Sequence, residues 1–150
     1  MKKFHRKLIL LIFVVNLMSC SSFKEQSPER TDRSSRISSL EATIKTFSNS
    51  VKFAYYDEVF RFQQLPGGNR IDYQVNQLTG YRVVDYRNLS KLLSDDGINA
   101  RVVSELKYYQ IDDGKLKQIL FEQSWWYNPI RNKWFLKTPF PLFDENNLKN

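Results

Sequence analysis

The sequence predicts an α+β domain in which N-terminal helices pack on a curved antiparallel four-stranded sheet. Three observations carry this. Apolar residues recur at helical spacing between Leu40 and Leu78. From Tyr81 onward the apolar period falls to two, the period of a strand. Two Asp-Asp-Gly runs, at 95–97 and 112–114, then divide the later half into segments joined by tight turns. Helices followed by a meander make an α+β fold, whereas a parallel sheet needs strands and helices to alternate.

The first helix is predicted to start at Ser38-Ser39-Leu40-Glu41, a capping box with Ile37 placed to staple against Ala42. Leu40, Ile44, Phe47 and Val51 then lie on one face. A second, short helix is predicted from Asp57 as N-cap to about Gln63, stopped by Pro66-Gly67-Gly68. A third follows Asn69, with Asp72 in its first turn and Ile71, Val75 and Leu78 on one face. Gly80 suits a left-handed position at its end. The first strand runs from Tyr81 to about Leu92, its two faces not clearly sorted. In the second, Ala100, Val102, Ser104, Leu106 and Tyr108 share the inward face. In the third, Ile119, Phe121, Gln123, Trp125 and Tyr127 share it. Asn128-Pro129 opens the last turn, Lys133 to Thr138 forms the fourth strand, and Pro139 and Pro141 end it.

Residues 1–19 read as a separate unit. Lys2, Lys3, His5, Arg6 and Lys7 precede the apolar run Leu8 to Val15, the layout of an export leader. The run is about half of the roughly 20 residues needed to cross a bilayer, and Asn16 interrupts it. Leu17-Met18-Ser19-Cys20 resembles the lipobox of bacterial lipoproteins. That resemblance implies cleavage before Cys20, lipidation of its thiol and membrane attachment. Ser21 after the cysteine implies the outer membrane, facing the periplasm. The chain then divides into the 1–19 leader, a flexible polar tether over 20–36, a domain over 37–143 and a tail over 144–150.

Removal of the leader takes away four basic residues and no acids. The chain's 23 basic and 16 acidic residues become 19 and 16, and the net charge falls from +7 to +3. A nucleic-acid partner is therefore not expected. His5, the only histidine, is lost with the leader, and the lipid consumes Cys20, the only cysteine. This excludes imidazole- and thiol-based catalysis, Cys/His zinc sites and disulfides. Neither a cofactor nor a metal is expected. Asp, Glu, Lys and Tyr remain for proton transfer, with ordinary pKa values far from neutrality. No catalytic residue is assigned.

Gly80 to Asp85, Ala100 to Tyr109, Asp112-Asp113-Gly114, Glu122 to Tyr127 and Lys133 to Lys137 together are similar to the strand pattern of NTF2-like domains. The Thr43 to Phe62 stretch is similar to that superfamily's opening helices. The resemblance implies a curved sheet wrapped around helices to form a cone, whose mouth in many members holds a small apolar ligand. Some members are isomerases or dehydratases, and many are binding or assembly modules. Ser104, Tyr108, Gln123, Trp125 and Tyr127 are the candidate pocket, a composition that also suits a filled core. Asp85 and Tyr86 lie in the unsorted strand, where one of them can point inward or Asp85 can pair with Arg82 or Arg87. Leu120 and Trp126, on the opposite face, are a candidate interface for a homodimer or an envelope protein. The favoured function is a non-catalytic, membrane-anchored interaction or scaffold module. The alternatives are a binder of a small apolar molecule and, third, an enzyme of the isomerase or dehydratase type.

Overall fold

A computed structural model of the chain describes residues 28–71 and 75–143, with side chains from Asp32 onward. The leader, Cys20, the first part of the tether, Asp72 and the tail lie outside the described residues. The architecture is the α+β one: a long helix lies on one face of an open four-stranded antiparallel sheet.

Helix α1 spans Pro28–Lys52, so it starts ten residues before the predicted cap at Ser38. Its first position is a proline, whose missing N–H leaves nothing unpaired there and whose fixed φ suits a helix start. The polar 28–36 stretch, expected as tether, is thus helical. It is supported by an Arg36–Asp32 ion pair one turn apart and by docking of Arg36 and Arg33 on the 94–98 turn. The predicted capping box is not used. Ser38 Oγ donates to the Ser34 carbonyl within the helix, Glu41 pairs with Lys91, and Ile37 remains exposed. Downstream the prediction holds: Leu40, Ile44, Phe47 and Val51 form the buried stripe.

At its far end α1 closes with a motif that its sequence conceals. The Tyr55 N–H donates to the Ser50 carbonyl at 2.8 Å and the Ala54 N–H to the Val51 carbonyl at 3.2 Å. Ala54 takes the left-handed conformation, φ 57°, that glycine usually supplies. Helix α2 follows over Tyr56–Arg61. Asp57 sits in its first turn, not at the N-cap, which is Tyr55 and makes no side-chain cap. Of the third predicted helix, the described part is a 3-10 turn, Val75–Gln77, that seats Leu78 in the core. Gly80 does not take a left-handed φ.

The sheet is a meander in the order β1-β2-β3-β4: β1 Tyr81–Leu93, β2 Asn99–Gln110, β3 Leu116–Asn128 and β4 Lys133–Leu136. Both Asp-Asp-Gly runs turn as expected, with Gly97 at φ 68° and Gly114 at φ 64°. The predicted inward sets of β2 and β3 are the buried ones. β1 looks unsorted because it carries two register shifts, between Val83 and Asp85 and between Asn88 and Ser90. Each inserts one residue and resets which side chains face inward. Pairing with the inward residues of β2 therefore selects Val83, Tyr86, Asn88, Lys91 and Leu93, at alternating spacings of three and two. The bulges also supply curvature.

The segment after β4 returns beneath the sheet. Phe140 packs edge-on against Phe121 and Phe47, at ring distances of 5.6 and 6.2 Å. Phe143 stacks on Tyr108 at 4.4 Å and lies against Tyr81 at 5.5 Å. With Phe47 edge-on to Trp125 at 5.3 Å, these rings fill the concave side.

Candidate functional site

The candidate pocket residues do come together, but as packed core. Ser104, Tyr108, Gln123 and Trp125 are each at most 1% exposed, and Tyr127 is buried. The polar tips of Ser104, Gln123 and Trp125 engage one another and those of Tyr86 and Asn88. Gln123 Nε2 donates to the Tyr86 hydroxyl at 2.7 Å and to Ser104 Oγ at 2.6 Å. Gln123 Oε1 accepts from the Trp125 indole at 3.0 Å, and Ser104 Oγ donates to Asn88 Oδ1 at 2.8 Å. Every hydrogen-bonding atom of the Gln123 amide is therefore used, as burial demands. Burial pushes the Tyr86 hydroxyl up to about 12, partly offset by its bonds to Ser104 and Gln123. Tyr127 stands at the rim, bonded to Asn132 and beneath the Arg36 guanidinium at 5.5 Å.

Of the two residues in the unsorted strand, Tyr86 points inward and Asp85 outward. Asp85 pairs with Arg87 at 3.3 Å. Arg87 also binds Glu105, and that hydrogen bond holds its guanidinium above the ordinary value. Among the described residues no carboxylate is buried, and no three metal-ligating side chains cluster. No described helix is long and apolar enough to cross a membrane.

The candidate interface is not one patch. Leu120 is 65% exposed, but Trp126 is half-buried: its indole donates to the Gln64 carbonyl at 2.6 Å and its ring tilts over Phe135. The two are six residues apart on β3, about 20 Å, with exposed Glu122 and Ser124 between them. The segment after α2 returns over the sheet edge and covers the indole, which the strand pattern alone does not reveal.

The surface instead offers a groove of about 760 Å³ between α1, α2 and β4, which the sequence did not single out. Thr43 and Thr46 form one wall, and Phe62, Trp134 and Phe135 form the apolar floor. Arg61, Arg131 and Lys133 bring three cations to it from three different elements. Asn128 Oδ1 accepts the Ile130 and Arg131 N–H groups, both at 3.0 Å, and so shapes the turn that delivers Arg131. The Arg131 guanidinium donates to Gln64 Oε1 at 3.0 Å and lies 5.8 Å from the centre of the Phe135 ring. Arg61 pairs with Glu58 at 3.0 Å. Neither Arg131 nor Lys133 has an acidic partner among the described residues.

These features define a helix-on-sheet α+β domain with a closed interior and a basic groove at its edge strand. Compared with protein-family models, with curated proteins and with solved structures, the chain matches none.

Proposed function

We propose that the chain is a lipid-anchored protein of the bacterial envelope whose NTF2-like domain is a non-catalytic interaction or scaffold module. The observation that carries this reading is the filled interior. Phe47, Phe140 and Phe143 occupy the concave side, and Gln123, Ser104 and Tyr86 are hydrogen-bonded to one another there. Recognition is thereby left to the outside of the domain. Two bulges curving the first strand, two helices ahead of the sheet and the meander order support the NTF2-like assignment. The lipobox Leu17-Met18-Ser19-Cys20 supports anchoring through Cys20, and Ser21 supports the outer membrane, facing the periplasm. Three acyl chains would hold the protein firmly, since each buried CH2 contributes about 0.8 kcal/mol.

Metabolic labelling with a palmitate analogue in a bacterial host tests the anchoring. The wild-type chain should incorporate label and sediment with outer-membrane vesicles, and Cys20→Ala should do neither. An unlabelled wild-type chain would overturn the lipoprotein reading. In-cell photocrosslinking from exposed positions tests the module reading. Discrete protein adducts are expected. Their replacement by one small apolar molecule that co-purifies with the chain would favour a carrier instead.

A further inference from the structure

Resting on the interaction-module reading, we propose that the groove between α1, α2 and β4 is a docking site for an extended acidic peptide segment of a partner protein. Two independent features point to that chemistry. The first is charge. Arg61, Arg131 and Lys133 converge on an apolar floor, and the single acid lining the groove among the described residues, Glu58, is engaged with Arg61. Arg131 and Lys133, without an acid beside them among the described residues, present a positive potential that acidic side chains would complement.

The second feature is the main chain of β4. In an antiparallel ladder the N–H and C=O of one residue point to the same side, and sides alternate along the strand. The Leu136 N–H donates to the Phe62 carbonyl at 2.7 Å, and the Leu136 carbonyl accepts from the Gln64 N–H at 3.1 Å. Leu136 therefore faces away from β3. Trp134, two residues earlier, faces the same way, toward the groove. Its N–H and C=O have no partner among the described residues. The segment that occupies the edge at Leu136 leaves it at Trp134, because the chain before Phe62 is helical. A donor and an acceptor side by side fit a peptide amide, whereas a simple anion uses only the donor. Phe62 and Phe135 offer apolar contact to alternate side chains, and Arg131 and Lys133 select acids among the others.

Fluorescence anisotropy on the full chain in non-ionic detergent tests this. The probe is a labelled decapeptide alternating glutamate and valine. It should bind saturably and weaken with salt, and its lysine–valine counterpart should bind at least ~tenfold more weakly. R131E/K133E, two exposed positions, should abolish binding with the circular dichroism spectrum unchanged. R101E/K115E makes the same charge change away from the groove and should leave binding intact. N-methylating alternate amides of the glutamate peptide should cost at least ~tenfold, because main-chain pairing is lost. That comparison uses only the wild-type protein, so it stands even where a variant misfolds.

Equal loss in both charge variants would reduce the effect to net charge and overturn the proposal. Indifference to N-methylation, full displacement by inorganic phosphate, or no peptide binding at all would do the same. Binding of phosphatidylglycerol vesicles through Arg131 and Lys133 in place of the peptide would reassign the groove to a membrane surface. Protein adducts crosslinked elsewhere, with the groove inert, would remove this docking site and leave the interaction-module reading standing.

Discussion

The two sides of β4 and its neighbours make opposite use of polar chemistry. On the concave side, Gln123, Ser104, Tyr86, Asn88 and Trp125 exchange hydrogen bonds until each polar atom of the buried amide has a partner. In the groove, Arg131 and Lys133 stand without acids, and the Trp134 main chain faces outward unpaired among the described residues. A buried polar group left without a partner costs about 1–3 kcal/mol, which is why the groups around the Gln123 amide are bonded to one another. An exposed cation is solvated at little cost and can wait for a ligand. Completeness thus marks the part that holds the fold together, and surplus marks the part free to recognise something.

The contrast can be broken most severely at Phe143. Phe143→Ala should cost about 3–5 kcal/mol in urea unfolding, since it removes the ring stacked on Tyr108. It should also open a cavity that binds small aromatic molecules, which calorimetry would detect for the variant and not for wild type. A cost under about 1 kcal/mol would mean the interior does not depend on this ring.

Gln123→Leu is next. It keeps the shape approximately but strips partners from the Trp125 indole and the Ser104 and Tyr86 hydroxyls, with an expected loss of about 2–3 kcal/mol. Unchanged stability would show that the hydrogen-bond set is dispensable.

Tyr86 supplies a pH test. Its hydroxyl is raised to about 12 in the folded protein from an ordinary 10. The unfolded chain therefore loses this proton first, and stability present below pH 10 should decline as pH rises from 10 toward 12, by about 1 kcal/mol per unit. Thermal melts from pH 9 to 11.5 should show this slope. Tyr86→Phe should flatten it while lowering stability at pH 8.

Ala54→Gly should act in the other direction, because glycine accepts the left-handed φ without strain. A gain of about 0.5 kcal/mol is expected after the greater freedom of unfolded glycine is counted. The smallest effect belongs to the groove: Arg131→Gln with Lys133→Gln should change stability by less than about 0.5 kcal/mol. A larger loss would make these cations part of the scaffold and erase the contrast.

Much of the fold is legible in the sequence where one face stays buried without interruption. β2 and β3 alternate cleanly over twelve and thirteen residues, so their inward sets can be read directly. β1 cannot be read so, because two one-residue insertions shift its phase and only pairing with β2 restores it. The start of α1 is hidden for another reason. Ser38 and Glu41 form a valid cap pattern, yet Pro28 and the Arg36–Asp32 pair carry the helix past it. The pocket candidates share strand faces, so their proximity can be read from the alternation alone. That they are sealed depends on Phe140 and Phe143, whose prolines mark a strand end but not the direction of return. The groove has no local signature at all. Arg61 and Arg131 lie seventy positions apart and meet only once the sheet edge forms.

The late position of Phe140 and Phe143 has a consequence for the order of events in a chain synthesised N-terminus first. Until residue 143 has emerged, Tyr108, Phe121 and Phe47 lack the rings that cover them. A partly synthesised chain holds an unfinished core and gains full stability only when this last segment arrives.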